Sequence, residues 1–256
     1  MPSDGPITAS RPAGSNTYST DTPLPDTPLP DTTLPDTNPI LEKMRRDWDE
    51  RAKENARHYV ATAQTDWSDD AYFESGRQNV HHEILTDMGN VCQGQDPKTM
   101  TVLEIGCGSG RITRALSENF GEVYAVDVSG EMIRRASEAL KDRTNVHLSQ
   151  NNGQDLAVLG DVRVDFAFTY IVFQHIPSRA VICNYVREVG RLLKPGGLFK
   201  FQVQGDATLK TAPDDTWLGV PFSDAEAVEM AESCGFEPRY RIGAGTQYFW
   251  LWFFKR

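Results

Sequence analysis

The segment 102–116 constrains the fold more than any other part of this chain, because an apolar run leads directly into a glycine-rich turn. Its sequence is VLEIGCGSGRITRAL. Gly106, Gly108 and Gly110 leave the backbone bare where a ligand has to lie close to it, and a helix after them presents free N–H groups. The pattern predicts a buried strand, a ligand-binding turn and a helix.

Apolar runs and helical patterns alternate along the chain after this segment. The strand-like runs lie near residues 101–106, 122–127, 145–149, 164–170 and 197–203. Such alternation is typical of a parallel sheet covered by helices on both faces. Two later runs, near 237–242 and 247–254, are separated only by residues 243–246. Because a connection this short joins antiparallel neighbours, we expect a hairpin that closes the sheet.

Helical patterns also precede the sheet. From Ile40 onward, large apolar and aromatic side chains such as Trp48 and Tyr59 recur at intervals of three and four residues along a charged stretch. This periodicity predicts one amphipathic helix that leads into the domain. A second helix is predicted roughly over residues 75–88.

The last two predicted helices have recognisable ends. The helix over residues 179–193 stops before Pro195, which cannot continue it. The final helix begins at a capping box formed by Ser223 and Glu226 and ends at Gly235.

Residues 1–38 differ in composition from the rest of the chain. They contain an imperfect five-residue repeat, TPLPD, TPLPD and TTLPD, over residues 22–36. Such a segment buries too little apolar area to offset its ordering entropy, so we predict a disordered leader before one domain over residues 39–256. The alternative is a PxxP ligand for a partner protein, although no basic residues flank Pro25 and Pro28.

Charge and composition restrict the partners of this protein. A formal net charge of −10 argues against a surface that grips nucleic-acid phosphates. The four cysteines are scattered without metal-ligand spacing, which predicts reduced thiols and no metal site. The sequence shows neither a signal peptide nor a run of about 18 apolar residues. We expect a cytoplasmic protein with no membrane or nucleic-acid partner; the sequence does not predict its oligomeric state.

Polar residues follow the second and third predicted strands. Asp127 ends the second, and Asn152 and Gly153 follow the third. Ligands of a doubly wound sheet lie outside the carboxyl ends of the strands, so these residues and the glycine turn flank one crevice. A carboxylate there can accept the hydroxyl protons of a ribose, and an amide oxygen with a backbone N–H can recognise adenine. Arg111 stands where the dinucleotide fingerprint G-x-G-x-x-G has glycine, which argues against a nicotinamide cofactor.

Over roughly residues 95–205, these motifs resemble those of the class I (Rossmann-like) S-adenosyl-L-methionine-dependent methyltransferases. In order along the chain, the matching motifs are VLEIGCGSG, VYAVDVSGEMI, QNNGQDL, VDFAFTYIVFQHI and LLKPGGLF. The resemblance implies an α/β fold with a doubly wound, mostly parallel seven-stranded sheet in the order 3-2-1-4-5-7-6. It also implies S-adenosyl-L-methionine as cofactor, and N-terminal helices at about residues 40–95 that form a lid.

The resemblance also implies which residues contact the cofactor. Glu104 would contact the amino group, Asp127 the ribose hydroxyls, and Thr169 would approach the methionine moiety. The other implied contacts are Gly106, Cys107, Gly108 and Gly110 in the turn, Val128 and Met132 after the second strand, and Asn152 and Gly153 after the third.

Several of these residues have a structural alternative. Asp127 could cap the next helix, Glu104 could accept from loop amides, and the glycines could serve only close packing. Arg77 could pair with the cofactor carboxylate or lie on the surface, and Gln204 could reach a substrate or bond within the sheet cover. The aromatic residues that could line the pocket or only pack the N-terminal helices are Trp48, Tyr59, Trp67, Tyr72 and Phe73.

His175 follows the fourth strand, where the transferred methyl group is expected. It could take a proton from the nucleophile as a general base, or only order the turn before the helix capped by Ser178. We expect methyl transfer to a small or medium-sized metabolite by in-line displacement. The alternative functions are a noncatalytic cofactor-binding domain and a nicotinamide-dependent oxidoreductase.

Overall fold

The computed structural model describes residues 39–209, 212 and 214–256. Their strands are β1 (Thr101–Ile105), β2 (Glu122–Asp127), β3 (Val146–Gln150), β4 (Val164–Phe168), β5 (Leu193–Val203), β6 (Phe236–Ile242) and β7 (Phe249–Lys255). They form a sheet in the order β3-β2-β1-β4-β5-β7-β6. The first five are parallel, and β7 is antiparallel to both β5 and β6. The predicted strand order and C-terminal hairpin are confirmed. The predicted leader, residues 1–38, lies outside the described residues.

Helices cover both faces of this sheet. They are α1 (Pro39–Val60), α2 (Asp69–Glu83), α3 (Met88–Cys92), α4 (Arg111–Asn119), α5 (Gly130–Ala139), α6 (Arg179–Leu192) and α7 (Asp224–Ser233). Along β1, Val102 joins the apolar cluster that contains the α4 side chains, whereas Leu103 and Ile105 join the cluster that contains those of α6. Because successive side chains of a strand point to opposite faces, this alternation produces two cores. No helix in the described ranges is long and apolar enough to cross a membrane.

Helix α1 is not the single continuous helix that the periodicity predicts. Its backbone is non-helical at Asn55, where φ is −161° and ψ is 84°. The Asn55 side chain accepts a hydrogen bond from the His58 backbone N–H at 3.1 Å and donates to the Thr65 carbonyl at 3.0 Å. Asn55 therefore caps a second short helical segment, as an N-terminal asparagine commonly does.

Helix α2 starts earlier than predicted. Ser68 caps it by accepting a hydrogen bond from the Ala71 backbone N–H, and the helix ends at Glu83 instead of near residue 88. Gly76 lies where α2 crosses the start of α4, and a Cβ there would come within 2.2 Å of the Arg111 carbonyl oxygen. This close crossing holds α2 beside the turn that follows β1.

Candidate functional site

A cavity of about 410 Å³ opens beyond the carboxyl ends of β1, β2 and β4. The glycine turn after β1 forms part of its wall. Gly106 (φ +74°) and Gly108 (φ +53°) both line the cavity in the left-handed region that favours glycine. A Cβ on Gly106 would come within 2.4 Å of Val172, and one on Gly108 within 2.6 Å of Val60. A side chain at either position would force Val172 or Val60, both in the cavity wall, to move.

Asp127 lies in the cavity wall at the end of β2. Its Oδ2 accepts a hydrogen bond from the Gly108 backbone N–H at 2.8 Å, and its Oδ1 accepts one from the Ser129 backbone N–H at 2.9 Å. Burial raises the pKa of this carboxyl group to about 6. A carboxylate oxygen has two lone pairs, so Asp127 can order the turn and still accept from a ligand.

Glu104 is a second acid in the cavity wall, and it is almost completely buried. Its Oε2 accepts a hydrogen bond from the Thr113 hydroxyl at 2.6 Å, not from the loop amides that the alternative interpretation proposed. Burial raises the pKa of Glu104 to about 7. The nearby charge of Asp127 acts in the same direction.

Arg111 is a buried cation in the same wall. Its sequence context did not predict a role in ligand binding. Its guanidinium donates to the side chains of Ser75 and Asn79, and burial lowers its pKa. Within the described residues, no carboxylate pairs with this guanidinium and its Nε has no hydrogen-bond partner. The charge of Glu104 acts on this guanidinium from nearby, but without a direct ion pair. A buried guanidinium that still has a free N–H donor favours an anionic ligand.

The side-chain amide that lines the cavity after β3 belongs to Asn151, one residue before the predicted Asn152. Asn152 is exposed, and its own turn uses its side chain: Oδ1 accepts from the Gln154 and Asp155 backbone N–H groups. Asn151 is buried in the cavity wall and donates to the Tyr185 hydroxyl at 2.7 Å. Its Oδ1 has no hydrogen-bond partner among the described residues. Of the two asparagines, Asn151 therefore lies in the cavity wall, and the predicted Asn152 does not.

The remaining predicted contacts divide into two groups. Residues in the cavity wall are Cys107, Val128 and Met132. Residues outside it are Gly110, Gly153 and Thr169. Gly110 instead begins α4 and packs against Leu140, and Gly153 packs against Val128 and Met44. Thr169 is fully buried, with no hydrogen-bond partner for its hydroxyl in the described part of the chain.

His175 is buried in the cavity wall, beyond the end of β4. Its Nδ1 donates to the Trp217 carbonyl, since a carbonyl oxygen can only accept, and the neutral ring then has its acceptor at Nε2. Burial lowers the pKa of His175 to about 4. The ring centres of Trp48 and Trp217 lie 5.4 Å and 5.1 Å from that of His175. Trp217 lies in the loop between β5 and α7. Its place in the cavity wall was not predicted from the sequence.

Two other candidates have structural roles. Arg77 is exposed and bonds to Glu118, away from the cavity. Gln204 accepts from the Asp206 backbone N–H, so it bonds within its own loop. Of the five N-terminal aromatic residues, those that line the cavity are Trp48, Tyr59 and Trp67. In the described ranges, no group of three His, Cys, Asp or Glu side chains is arranged to hold a metal ion.

Curated proteins with similar sequences are methyltransferases. Residues 102–197 match the family described as "Methyltransferase domain". The 2-methyl-6-phytyl-1,4-hydroquinone methyltransferase of Synechocystis is 28% identical over 103 residues, which cover 40% of this chain and 31% of that protein. The demethylmenaquinone methyltransferase of Staphylococcus carnosus is 31% identical over 107 residues, which cover 41% and 43%. The chain thus spans less than half the length of these relatives.

Solved structures share the fold over most of the chain. A structure described as a DhpI–SAH complex is 22% identical, has a TM-score of 0.58, and covers 84% of this chain and 96% of its own. Phosphoethanolamine N-methyltransferase 1 of Haemonchus contortus is 14% identical, with a TM-score of 0.60 and coverage of 84% and 49%. Residues 102–197 of this chain therefore match a methyltransferase domain, and its strand order and motifs are similar to those of the class I S-adenosylmethionine-dependent methyltransferases.

Proposed function

We propose that this protein transfers a methyl group from S-adenosyl-L-methionine to a small or medium-sized acceptor molecule. The observation that carries the proposal is one cavity holding both the carboxylate of Asp127 and the buried guanidinium of Arg111, which has no direct carboxylate partner among the described residues. This combination suits a ligand with hydroxyl groups at one place and a carboxylate at another. S-Adenosyl-L-methionine has both, and the curated relatives are named for small-molecule methylation.

The polar groups of the cavity fit the parts of this cofactor. Asp127 would accept from the ribose hydroxyls, and the unpartnered Oδ1 of Asn151 would accept from the adenine amino group. Arg111 would pair with the carboxylate of the methionine moiety, and Glu104 with its ammonium group. Both pairs would satisfy groups that are costly to bury alone.

The bound cofactor supplies a methyl group activated by its positively charged sulfur. The protein's own part is to hold the acceptor in line with that methyl group, exclude water and accept a proton. His175 has the position and the open nitrogen for the last task, because its Nδ1 is already bonded to the Trp217 carbonyl.

The segment over residues 56–67 would act as a lid over the bound molecules. It contributes Tyr59, Val60 and Trp67 to the cavity wall. A hydrogen bond within the segment stabilises it: the Trp67 indole N–H donates to the Ala61 carbonyl at 2.8 Å. We also propose a cytoplasmic location, and an acceptor other than nucleic acid because a net charge of −10 disfavours binding to phosphate groups.

Label transfer tests the proposal. The protein is incubated with S-adenosyl-L-methionine labelled in its methyl group and with a fractionated metabolite extract. We expect label to appear in a small-molecule fraction together with one equivalent of S-adenosylhomocysteine. Binding of the cofactor without any transfer would support a noncatalytic domain, and binding of NAD instead would support an oxidoreductase; either result would reject the proposal.

A further inference from the structure

We propose that the acceptor is a phenol, an uncharged aromatic ring whose hydroxyl group faces His175 and Gln174 while the ring packs on a wall of aromatic side chains. This inference rests on the proposed methyl transfer. It narrows the substrate to one chemical class and assigns the acceptor end of the cavity to Trp48, Tyr59 and Trp217, which we call the aromatic wall.

The aromatic wall is continuous and faces the cavity. The Trp217 ring lies 6.2 Å from the Trp48 ring and 6.1 Å from the Tyr59 ring, measured between centres. All three residues line the cavity and are only partly buried. Rings this close cannot take a planar ligand between them. Such a ligand would pack on the sides of the rings that face the cavity. Ring-to-ring contact of this kind favours an aromatic ligand over an aliphatic one.

A cation already lies on the aromatic wall. The Arg51 guanidinium carbon is 4.8 Å from the Trp48 ring centre and 5.2 Å from that of Trp217. The guanidinium is held there by the Thr216 carbonyl and hydroxyl, at 3.2 Å and 3.1 Å. Arg51 does not itself line the cavity, and the charges of Asp47 and Asp215 partly balance its own. Because the Trp48 and Trp217 rings already interact with this guanidinium, they attract a second cation, such as a protonated amine, less strongly. The wall therefore favours an uncharged ring.

The polar end of this site includes two hydrogen-bond acceptors. Gln174 is almost completely buried and lines the cavity, and its Oε1 has no partner among the residues that the structure describes. The neighbouring His175 offers Nε2 as an acceptor. A hydroxyl group that donates to one of these atoms would satisfy a buried polar group that otherwise costs free energy.

The basicity of His175 matches a phenol better than an aliphatic alcohol. Burial lowers the pKa of this imidazole to about 4, so it is neutral near pH 7 but only weakly basic. A weak base assists most when the proton it takes is already acidic, and a phenolic hydroxyl has a pKa of about 10. In the reaction, the phenol oxygen forms a bond to the methyl carbon as the sulfur–methyl bond breaks. The hydroxyl proton passes to Nε2, which leaves a methyl ether, S-adenosylhomocysteine and a protonated imidazole.

Three probes with one ring and different nucleophiles test this proposal: 2-naphthol, 2-naphthylmethanol and 2-naphthylmethylamine. Each is titrated into protein saturated with S-adenosylhomocysteine, with tryptophan fluorescence as the readout, and each is then assayed for methyl transfer. We expect 2-naphthol to bind at least about tenfold more tightly than the amine and to be methylated at oxygen. Preferential methylation of the amine or the aliphatic alcohol, or no binding of 2-naphthol, would overturn the proposal.

Variants separate the aromatic wall from the base. Trp217→Ala should weaken 2-naphthol binding about tenfold, Trp217→Phe should retain most of it, and Tyr240→Ala, at an exposed residue of β6, should leave it unchanged. His175→Gln should retain 2-naphthol binding while turnover falls by about 10² to 10⁴. Unchanged turnover in that variant, or unchanged binding in Trp217→Ala, would contradict the assignment. Failure of the wild-type protein to bind S-adenosylhomocysteine would instead reject the underlying methyltransferase function.

Discussion

Glu104 is a buried acid that accepts, among the described residues, one hydrogen bond, from the Thr113 hydroxyl. Its pKa in the folded protein is raised to about 7, above the ordinary value of 4.5, because burial disfavours the charged form. A carboxyl group with a raised pKa binds protons more tightly in the folded state than in the unfolded state. The unliganded protein therefore loses stability as the pH rises from about 4.5 through 7. A cationic ligand at this carboxylate would reverse the loss.

We predict that Glu104→Gln stabilises the unliganded protein at pH 8, by at most about 3 kcal/mol, and changes its stability little at pH 4.5. The glutamine can still accept from Thr113 but carries no charge. Denaturant unfolding at the two pH values measures the effect. Calorimetry at pH 8 should show weaker binding of S-adenosyl-L-methionine to the same variant. A variant that is less stable than the wild type at pH 8 would show that the ionised carboxylate is well compensated without a ligand.

Sequence motifs located the acids and the glycine turn of the site, but not every contact. Asp127 was predicted because it ends a strand and Glu104 because of the family resemblance, and the structure brings both into one cavity. Asn152 was predicted where Asn151 lines the cavity, since both asparagines follow β3 and only the folded turn decides which amide is buried. Trp217 was missed because its loop has no periodicity that ties it to the sheet.

The lid segment over residues 56–67 depends on the cap at Asn55. The Asn55 side chain accepts a hydrogen bond from the His58 backbone N–H and donates one to the Thr65 carbonyl, so it links two parts of this segment. Val60, within the segment, lies against the position where Gly108 lacks a side chain. Loss of the cap should therefore loosen the segment where it meets the glycine turn.

We predict that Asn55→Ala weakens binding of S-adenosylhomocysteine by about 0.5 to 2 kcal/mol, the range that a lost N-cap costs. Ser223→Ala is the matched control, since it removes the N-cap of α7, away from the cavity. The control should lower the free energy of unfolding and leave the affinity unchanged. Calorimetric titration of both variants measures the difference. Equal affinities in Asn55→Ala and the wild type would remove the lid segment from the cofactor site.

The order of strands and helices was predictable because the alternation of apolar runs reflects burial on both faces of the sheet. Element ends were less predictable. Helix α2 begins after the cap at Ser68, in a stretch where the helical periodicity is weak. The break in α1 depends on the long-range bond from Asn55 to Thr65, which a local pattern does not reveal.

At the scale of the whole molecule, segments that are distant in sequence enclose the cavity. Among them are α1 with the lid segment, α2, the turns at the carboxyl ends of the strands, the loop between β5 and α7, and the loop between β6 and β7. The Thr216 hydroxyl of that loop donates to Asp47 of α1 at 2.7 Å and accepts from Arg51 of α1 at 3.1 Å. The loop that carries Trp217 is thereby tied to the helix that carries Trp48, so the two sides of the acceptor end are held together.

The central claim is that this cavity binds S-adenosyl-L-methionine through the carboxylate of Asp127. Calorimetric titration of S-adenosylhomocysteine at pH 8, above the pKa of about 6 for this group, tests it most directly. We predict measurable binding to the wild type and a loss of about 1 to 3 kcal/mol in Asp127→Asn. Asp142→Asn, at an exposed carboxylate paired with Arg114, should bind as the wild type does. Equal affinity in Asp127→Asn and the wild type, or no binding to either, would contradict the claim.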